Sequence, residues 1–257
     1  MDELLNVALV QTSLKWEDPE ANRVALDAKL KALPSDVDLI VFPEMFTTGF
    51  TMEPQNIKTE EGQKTLGWMK KKAQENNAAV MGSIVFSENK IHKNRLFFVE
   101  PDGKTSVYDK RHTFTLAGED KVYKAGNERL IVNYKGFKIC PMICYDLRFP
   151  VWARNTEDYD VLVYVANWPE PRITAWDTLL KARAIENMSY CIGVNRIGSD
   201  DVGHAYPGHS VVFDSLGKDL AFSENDEIVT ASLSKKHIQN VRAKLRFLND
   251  RDRFNLE

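Results

Sequence analysis

The chain has 257 residues, of which 34 are basic and 37 acidic, so its formal net charge is −3, and 43% of its residues are hydrophobic. This is the composition of a globular protein that can bury a sizeable core. The small net charge, with no basic block on any predicted face, argues against nucleic acid or an anionic membrane as the main partner. The length suits one large α/β domain, and we expect a single domain over residues 1–257.

The cysteines and the N-terminal segment indicate a reducing compartment. Cys140, Cys144 and Cys191 are an odd number and do not form a disulfide framework. The chain starts with acidic rather than basic residues, unlike a signal peptide, and no apolar run approaches the ~20 residues of a membrane span. We therefore expect a soluble, cytoplasmic protein. Cys140 and Cys144 lack a matching His or Cys pair for a metal, so Cys140 is predicted to pack in the core. Cys191 lies in an apolar strand and is also predicted to pack in the core. Neither a metal nor a cofactor is expected.

The first half of the chain predicts a strand–helix–strand start followed by a run of strands. Short apolar stretches predict the strands, and apolar residues at helical spacing predict the helices. The predicted strands are 6–11, 37–42, 78–86, 94–100 and 105–108, and the predicted helices are 18–33 and 62–77. Residues 110–127 show no clear period and are predicted to form a long loop, a kind of segment that is often functional.

The stretch from Phe137 to Arg154 organises the second half. Residues 137–143 are apolar, which is typical of a strand buried on both faces. Residues 148–154 predict a helix, with Asp146 placed to cap it and Pro150 in its first turn. Cys144 would then lie at a strand-to-helix junction, where helix N–H groups favour thiolate over thiol. Taken alone, however, such a cysteine is more often a core residue.

The remaining elements complete an α/β pattern. Further strands are predicted at 161–165, 190–195, 210–213 and 227–233, and helices at 174–188 and 234–245. The order of elements indicates mixed sheets with helices on the outer face, and the excess of strands indicates two sheets packed together. The charged tail, residues 246–257, is expected either to contact a neighbouring subunit or to be solvated.

Three polar residues follow predicted buried strands directly: Glu44, Lys110 and Cys144. Strand ends in α/β folds hold side chains from distant sequence positions at fixed separations. A thiol, a carboxylate and an ammonium group together are sufficient for acyl transfer. Singly, each has an ordinary alternative as a solvated glutamate, a surface lysine or a core cysteine.

The segments around these residues resemble the signatures of a known family. Phe42-Pro-Glu44, Tyr108-Asp-Lys110-Arg-His and Ile143-Cys144-Tyr-Asp-Leu-Arg-Phe-Pro150 resemble the three signature segments of the nitrilase superfamily of carbon–nitrogen hydrolases. Residues 167–169, 182–187, 193–198 and 208–210 resemble later blocks of that family. The sequence around Cys144, with Ala-Asn-Trp-Pro169, is most similar to the omega-amidase branch, which hydrolyses the amide of 2-oxoglutaramate-like acids.

The resemblance implies a fold, an assembly and a catalytic set. The fold would be an αββα sandwich of two mixed sheets flanked by helices, dimerised on the side that carries Val151 and Trp152. Cys144 would be the nucleophile that forms a thioester. Glu44 would be the general base, and Lys110 would hold the oxyanion together with the N–H of Tyr145. Glu119, in the loop after the lysine, matches a second glutamate that orients Lys110 or the substrate.

The implied substrate is a short primary amide with a carboxylate at its other end. Arg148 is a candidate for a bidentate contact with that carboxylate. The equal alternative is an ion pair that anchors the helix after Cys144, with Asp146 or a distant glutamate as the partner. Arg172 and Arg196 remain further candidates for the carboxylate contact. The other residues expected to line the pocket are Phe114, Tyr145, Trp168 and Tyr206, whereas His112 is expected to be structural or solvated.

Other activities of the superfamily remain open alternatives: nitrile hydrolysis, decarbamoylation and acyl transfer. A catalytically silent scaffold is a further alternative from a different class. The presence of Glu44, Lys110 and Cys144 together argues against a scaffold, because an inactive relative would be free to lose one of them.

Overall fold

The alternation of buried residues along the strands produces two stacked sheets. In the first strand, Leu5, Val7 and Leu9 pack into a core shared with the other sheet, whereas Ala8 and Val10 pack into a second core against helices. Successive side chains of a strand point to opposite faces, so each face of this sheet has its own apolar cover. The computed structural model describes residues 3–255.

The elements follow the sequence in this order. The strands are β1 Leu4–Val10, β2 Leu39–Val41, β3 Ala79–Glu88, β4 Ile91–Val99, β5 Thr105–Asp109, β6 Val132–Tyr134, β7 Phe137–Ile143, β8 Val161–Ala166, β9 Tyr190–Asn195, β10 Ile197–Ser199, β11 Ala205–Pro207, β12 Ser210–Phe213, β13 Asp219–Ser223 and β14 Ile228–Ser234. The helices are α1 Pro19–Lys29, α2 Glu60–Asn76, α3 Glu119–Val122, α4 Pro150–Ala153, α5 Ile173–Asn187 and α6 Lys235–Leu245.

Each large sheet has six strands and mixes parallel with antiparallel pairs. The first has the order β14-β1-β2-β3-β4-β5, and the second has the order β13-β12-β9-β8-β7-β6. Helices α1 and α2 cover the outer face of the first sheet, and α5 packs against the second through Trp176 and Leu180. The predicted α/β sandwich of two mixed sheets flanked by helices is confirmed. Within residues 3–255, no helix is both long and apolar enough to cross a membrane.

Two local predictions are wrong. Residues 148–154 do not form one helix: a 3-10 helix, Cys144–Arg148, follows β7 at once, and α4 begins separately at Pro150. Asp146 is therefore inside the first of these helices and does not cap a later one. The segment 110–127 is also not a plain loop, because it contains a 3-10 helix at Thr115–Ala117 and then α3.

Candidate active site

The nucleophile candidate lies on a sharp turn that the surrounding structure holds in place. Cys144 directly follows β7 and has a φ of +45°, a left-handed conformation that costs a non-glycine residue about 1–2 kcal/mol. The buried carboxylate of Asp146 accepts the N–H of Ile143 at 3.0 Å and the hydroxyl of Tyr108 at 2.7 Å. It also accepts hydrogen bonds from the backbone N–H of His112 at 3.0 Å and from the ring Nδ1 of His112 at 2.8 Å. Asp146 thereby fixes the turn to the end of β5.

The predicted lysine and both predicted glutamates meet beside this turn. Lys110 Nζ lies 2.8 Å from Glu44 Oε1 and 2.8 Å from Glu119 Oε2, with a further contact of 3.1 Å to Glu119 Oε1. The side chains are 1% exposed for Lys110 and fully buried for both glutamates. If both carboxylates are ionised, one ammonium group faces two negative charges, and one negative charge is left uncompensated.

The buried charges shift one another's pKa. Burial alone would lower the pKa of Lys110, but Glu119 and Glu44 raise it above its usual value, so the ammonium form persists. Burial raises the pKa of Glu119, Lys110 opposes this rise, and Glu44 adds to it. Burial and the charge of Glu44 raise the pKa of the Cys144 thiol well above its usual value, against the opposing effect of Lys110. The raised pKa contradicts the prediction that this junction favours the thiolate.

Two asparagines that sequence reasoning did not assign to the site hold Glu44 in place. The N–H of Asn167 donates to Glu44 Oε2 at 3.0 Å, and its side-chain Nδ2 donates to the backbone oxygen of Glu44 at 2.6 Å. Asn94 Nδ2 donates to Glu44 Oε1 at 2.8 Å. Asn94 continues the inward-facing row of Leu96 and Phe98 in β4. A polar residue in an otherwise apolar row was the sequence feature that could have indicated a role in the site.

Cys144 opens into a cavity of about 410 Å³. All five residues predicted to bind substrate line it: Phe114, Tyr145, Arg148, Trp168 and Tyr206. Loops provide most of the wall, and the small hairpin β10–β11 contributes Tyr206, whose hydroxyl donates to Asp200 at 2.7 Å.

The three candidate arginines occupy different positions. Arg148 and Arg172 line the cavity, and their guanidinium carbons lie 5.0 and 5.2 Å from the ring centroids of Trp168 and Phe114. Neither forms an ion pair within the described residues, so the alternative pairing of Arg148 with Asp146 does not occur. Arg196 is fully buried behind the cavity wall, stacked 4.5 Å from the ring of Tyr206.

The residues that were predicted to be structural are so. Cys140 and Cys191 are buried in the core, and His112 stacks on Phe149 at a centroid distance of 3.7 Å while it contacts Asp146. Trp152, on the side predicted to meet a partner subunit, is buried inside the chain, where its Nε1 donates to Tyr108. Among residues 3–255, no cluster of three or more His, Cys, Asp or Glu side chains is arranged to hold a metal ion.

Two curated relatives are similar to this chain over nearly its whole length. Omega-amidase YafV of Escherichia coli K12 is 43% identical over 254 residues, which cover 98% of each chain. The 2-oxoglutaramate amidase of Bacillus subtilis is 30% identical over 250 residues, covering 95% of this chain and 96% of the relative.

A solved structure is similar to this chain in both fold and sequence. The crystal structure of XC1258 from Xanthomonas campestris, described as a CN-hydrolase superfamily protein with an arsenic adduct in the active site, superposes with a TM-score of 0.95 at 40% identity. The match covers 100% of both chains. Residues 6–243 match the carbon–nitrogen hydrolase family, and the resemblance to the nitrilase superfamily and its omega-amidase branch is confirmed. The chain belongs to the carbon–nitrogen hydrolase family.

Proposed function

We propose that this protein is an omega-amidase, which hydrolyses the terminal amide of short carboxylate-bearing amides such as 2-oxoglutaramate to the acid and ammonia. The observation that carries the proposal is one cavity with two functional ends. Cys144 lies at its base beside the Glu44–Lys110–Glu119 cluster, and Arg148 and Arg172 line its wall without an ion-pair partner among residues 3–255. The two relatives named above as omega-amidase and 2-oxoglutaramate amidase support the same activity.

Acylation would begin with proton transfer from Cys144 to Glu44. Because the raised pKa of Cys144 favours the thiol, attack requires the base to take the S–H proton as the C–S bond to the amide carbon forms. The developing oxyanion would be held by Lys110 and by the N–H of Tyr145. Tyr145 is the second residue of its 3-10 helix, so its N–H has no partner within that helix.

Breakdown of the tetrahedral intermediate would release ammonia. Glu44 returns the proton to the leaving nitrogen as the C–N bond breaks, which leaves a thioester on Cys144. Glu44, again ionised, then takes a proton from a water molecule that attacks the thioester carbon. As the second intermediate collapses, the C–S bond breaks, the acid is released, and Glu44 returns its proton to the sulfur of Cys144. Glu119 would keep Lys110 oriented during both steps through its two contacts with Nζ.

The wall of the cavity supports an anionic substrate. Guanidinium groups form strong, charge-assisted hydrogen bonds with carboxylates. Arg148 is the first candidate, because it lies four residues after the nucleophile on the same turn, and Arg172 is the second. The same cysteine could also act in nitrile hydrolysis, decarbamoylation or acyl transfer. A requirement for a negatively charged substrate therefore distinguishes the omega-amidase from these alternatives.

The test is to compare kcat/KM for 2-oxoglutaramate and succinamate with that for butyramide, with ammonia release as the measurement. A lost charge-assisted contact costs ~1.5–3 kcal/mol, so butyramide should be hydrolysed about 10- to 100-fold less efficiently. Equal efficiency, or a preference for nitriles, would reject the omega-amidase reading while leaving the chemistry of Cys144 in place.

We also propose a homodimer of single-domain subunits in the cytoplasm. A core that joins both sheets supports one domain over residues 1–257, and three free cysteines support a reducing compartment. Val151 on α4 is 53% exposed and Ile185 on the neighbouring α5 is 49% exposed, which supports a partner on this side. Analytical ultracentrifugation should show a dimer, and a monomer at micromolar concentration would contradict the assembly.

A further inference from the structure

Asn94 lies where the two buried carboxylates of the site approach each other. Its Nδ2 donates to Glu44 Oε1 at 2.8 Å and to Glu119 Oε1 at 3.1 Å. Lys110 Nζ donates to the same two oxygens at 2.8 and 3.1 Å. The backbone oxygen of Asn94 also accepts the N–H of Lys110 at 3.0 Å. Asn94 therefore contacts every charged member of the cluster.

The orientation of this amide follows from charge. If the group were reversed, its carbonyl oxygen would face two carboxylate oxygens, so the nitrogen must occupy that side. In this orientation Oδ1 is buried and has no hydrogen-bond partner within the described residues. An unpartnered buried acceptor lowers stability, and an apolar residue of similar shape would avoid that loss. Fold stability alone therefore does not explain an asparagine at this position.

The contacts distinguish the two oxygens of Glu44. Oε1 accepts from Lys110 and Asn94, which occupies both of its lone-pair directions. Oε2 accepts the N–H of Asn167, which leaves its second lone-pair direction for the Cys144 thiol, whose hydrogen bond with Glu44 is one cause of its raised pKa. The backbone oxygen of Asn167 lies 4.0 Å from Cys144 Sγ, so the residue that donates to Oε2 also contacts the thiol.

We propose that Asn94 is a positioning residue that reserves Oε2 of Glu44 as the atom that exchanges protons with Cys144. With Oε1 occupied, the S–H bond breaks and the O–H bond forms at Oε2. Lys110 directs one contact to Oε1 of Glu44 and its other two to Glu119, so it fills only one of the two lone-pair directions of Oε1. Asn94 contributes a second donor without adding charge. This inference rests on the proposed function, since it names the Glu44 oxygen that takes part in that reaction's proton transfer.

The first test is Asn94→Leu, a substitution that keeps branching at Cγ and removes both the donor and the unpartnered acceptor. We expect kcat to fall about 10- to 100-fold, the value of one charge-assisted hydrogen bond. KM should stay close to that of the wild type, because Asn94 is not among the residues that line the cavity. Thermal stability should change little.

The pH profile gives a second readout that a merely structural role would not move. The titratable and charged groups that face Glu44 are Lys110, Glu119, Cys144 and Tyr123. Loss of a neutral donor from the buried cluster disfavours its more negatively charged forms. The acid limb of the kcat/KM profile should therefore move to higher pH in Asn94→Leu.

Asn155→Leu is the matched control. Asn155 is also fully buried, but its side chain bonds to the backbone of Tyr159 and Asn187, outside the site. This variant should lose stability and keep the wild-type pH profile. If Asn94→Leu does not fold, Asn94→Ala serves in its place.

Alkylation of Cys144 by iodoacetamide separates this inference from the proposed function. The alkylation rate depends on removal of the thiol proton and needs no amide substrate. At neutral pH we expect slower alkylation in Asn94→Leu than in the wild type, whichever amides the enzyme hydrolyses. Wild-type alkylation, kcat and pH profile in a folded Asn94 variant would overturn the inference. So would losses that only parallel those of Asn155→Leu.

Discussion

The base of the cavity and its wall are built in opposite ways. At the base, Lys110 is almost completely buried and its ammonium group contacts both buried carboxylates. At the wall, Arg148 and Arg172 are half-buried, lie over aromatic rings, and form no ion pair within the described residues. The charged groups of the base are paired with one another before a substrate binds, whereas the arginines of the wall can pair with a charged group of the substrate.

This difference follows from the two tasks. Donors that are fixed before the reaction need no reorganisation as charge develops, which favours a rigid, dehydrated base. Burial of three charged groups is costly, and their mutual contacts must offset that cost. The arginines of the wall keep part of their hydration and rest on rings that hold them in place. Changes at the base should therefore affect turnover, and changes at the wall should affect substrate choice.

The largest effect is expected for Cys144→Ala. Without a nucleophile, amide hydrolysis should fall on the order of 10⁴-fold or more, while the fold is kept because the residue lies on a turn. Ammonia release and a thermal melt are the measurements. Cys140→Ala is the control: its thiol is in the core, so stability should fall more than turnover. Substantial hydrolysis by purified Cys144→Ala would remove the assignment.

The next effect is expected for Glu44→Gln, which should lower turnover by about 10²- to 10⁴-fold because both acylation and deacylation need the base. The variant leaves a one-to-one pair of Lys110 and Glu119, so it should fold. Lys110→Met instead leaves two buried carboxylates without a cation and should lose stability as well as activity. Rapid-quench analysis should find little thioester in either variant, and normal turnover in Glu44→Gln would exclude its role as the base.

The base of the cavity was more predictable from sequence than the wall. Glu44 and Cys144 follow β2 and β7, whose mainly apolar sequences make buried strands visible, whereas Lys110 follows the more polar β5 and was recognised through the family resemblance. The second sheet's short edge strands β6 and β13 were not predicted, because three to five residues carry little periodicity. The protonation state of Cys144 was also missed, since burial and the charge of Glu44 depend on tertiary packing.

Local side-chain contacts explain the other misses. The hairpin β10–β11 is held by Asp200, whose Oδ1 accepts the N–H groups of Val202 and His204, and such a turn leaves no periodic pattern. The turn at Cys144 continues as a 3-10 helix, within which Asp146 bonds back to Ile143. Glu119 begins a helix of only four residues, so its position beside Lys110 came from the family resemblance and not from a helical period.

At the wall, Arg148→Gln should change substrate choice and leave the chemistry intact. We expect kcat/KM for succinamate to fall about 10- to 100-fold, mostly through KM, because a charge-assisted contact to the carboxylate is lost. Butyramide, which has no carboxylate, is the internal control and should be hydrolysed as before. If Arg172→Gln shows this selective loss and Arg148→Gln does not, Arg172 is the carboxylate partner; equal losses for both substrates would contradict either assignment.

The smallest expected effect concerns stability at the base and is tested with Glu119→Gln. Burial and Glu44 raise the pKa of Glu119 above its unfolded value, although Lys110 opposes the rise. Between the unfolded pKa, about 4.3, and the raised folded pKa, the native state binds more protons than the unfolded state. The stabilisation that Glu119 contributes is thus full at low pH and is lost as pH rises through the folded pKa.

The Glu119→Gln variant lacks this loss, so its free energy of unfolding relative to the wild type should increase with pH above about 4, by at most about 1.4 kcal/mol per pH unit. Urea unfolding at pH 4, 5, 6 and 7 measures this slope, and a difference that stays constant with pH would show that Glu119 titrates normally in the folded protein.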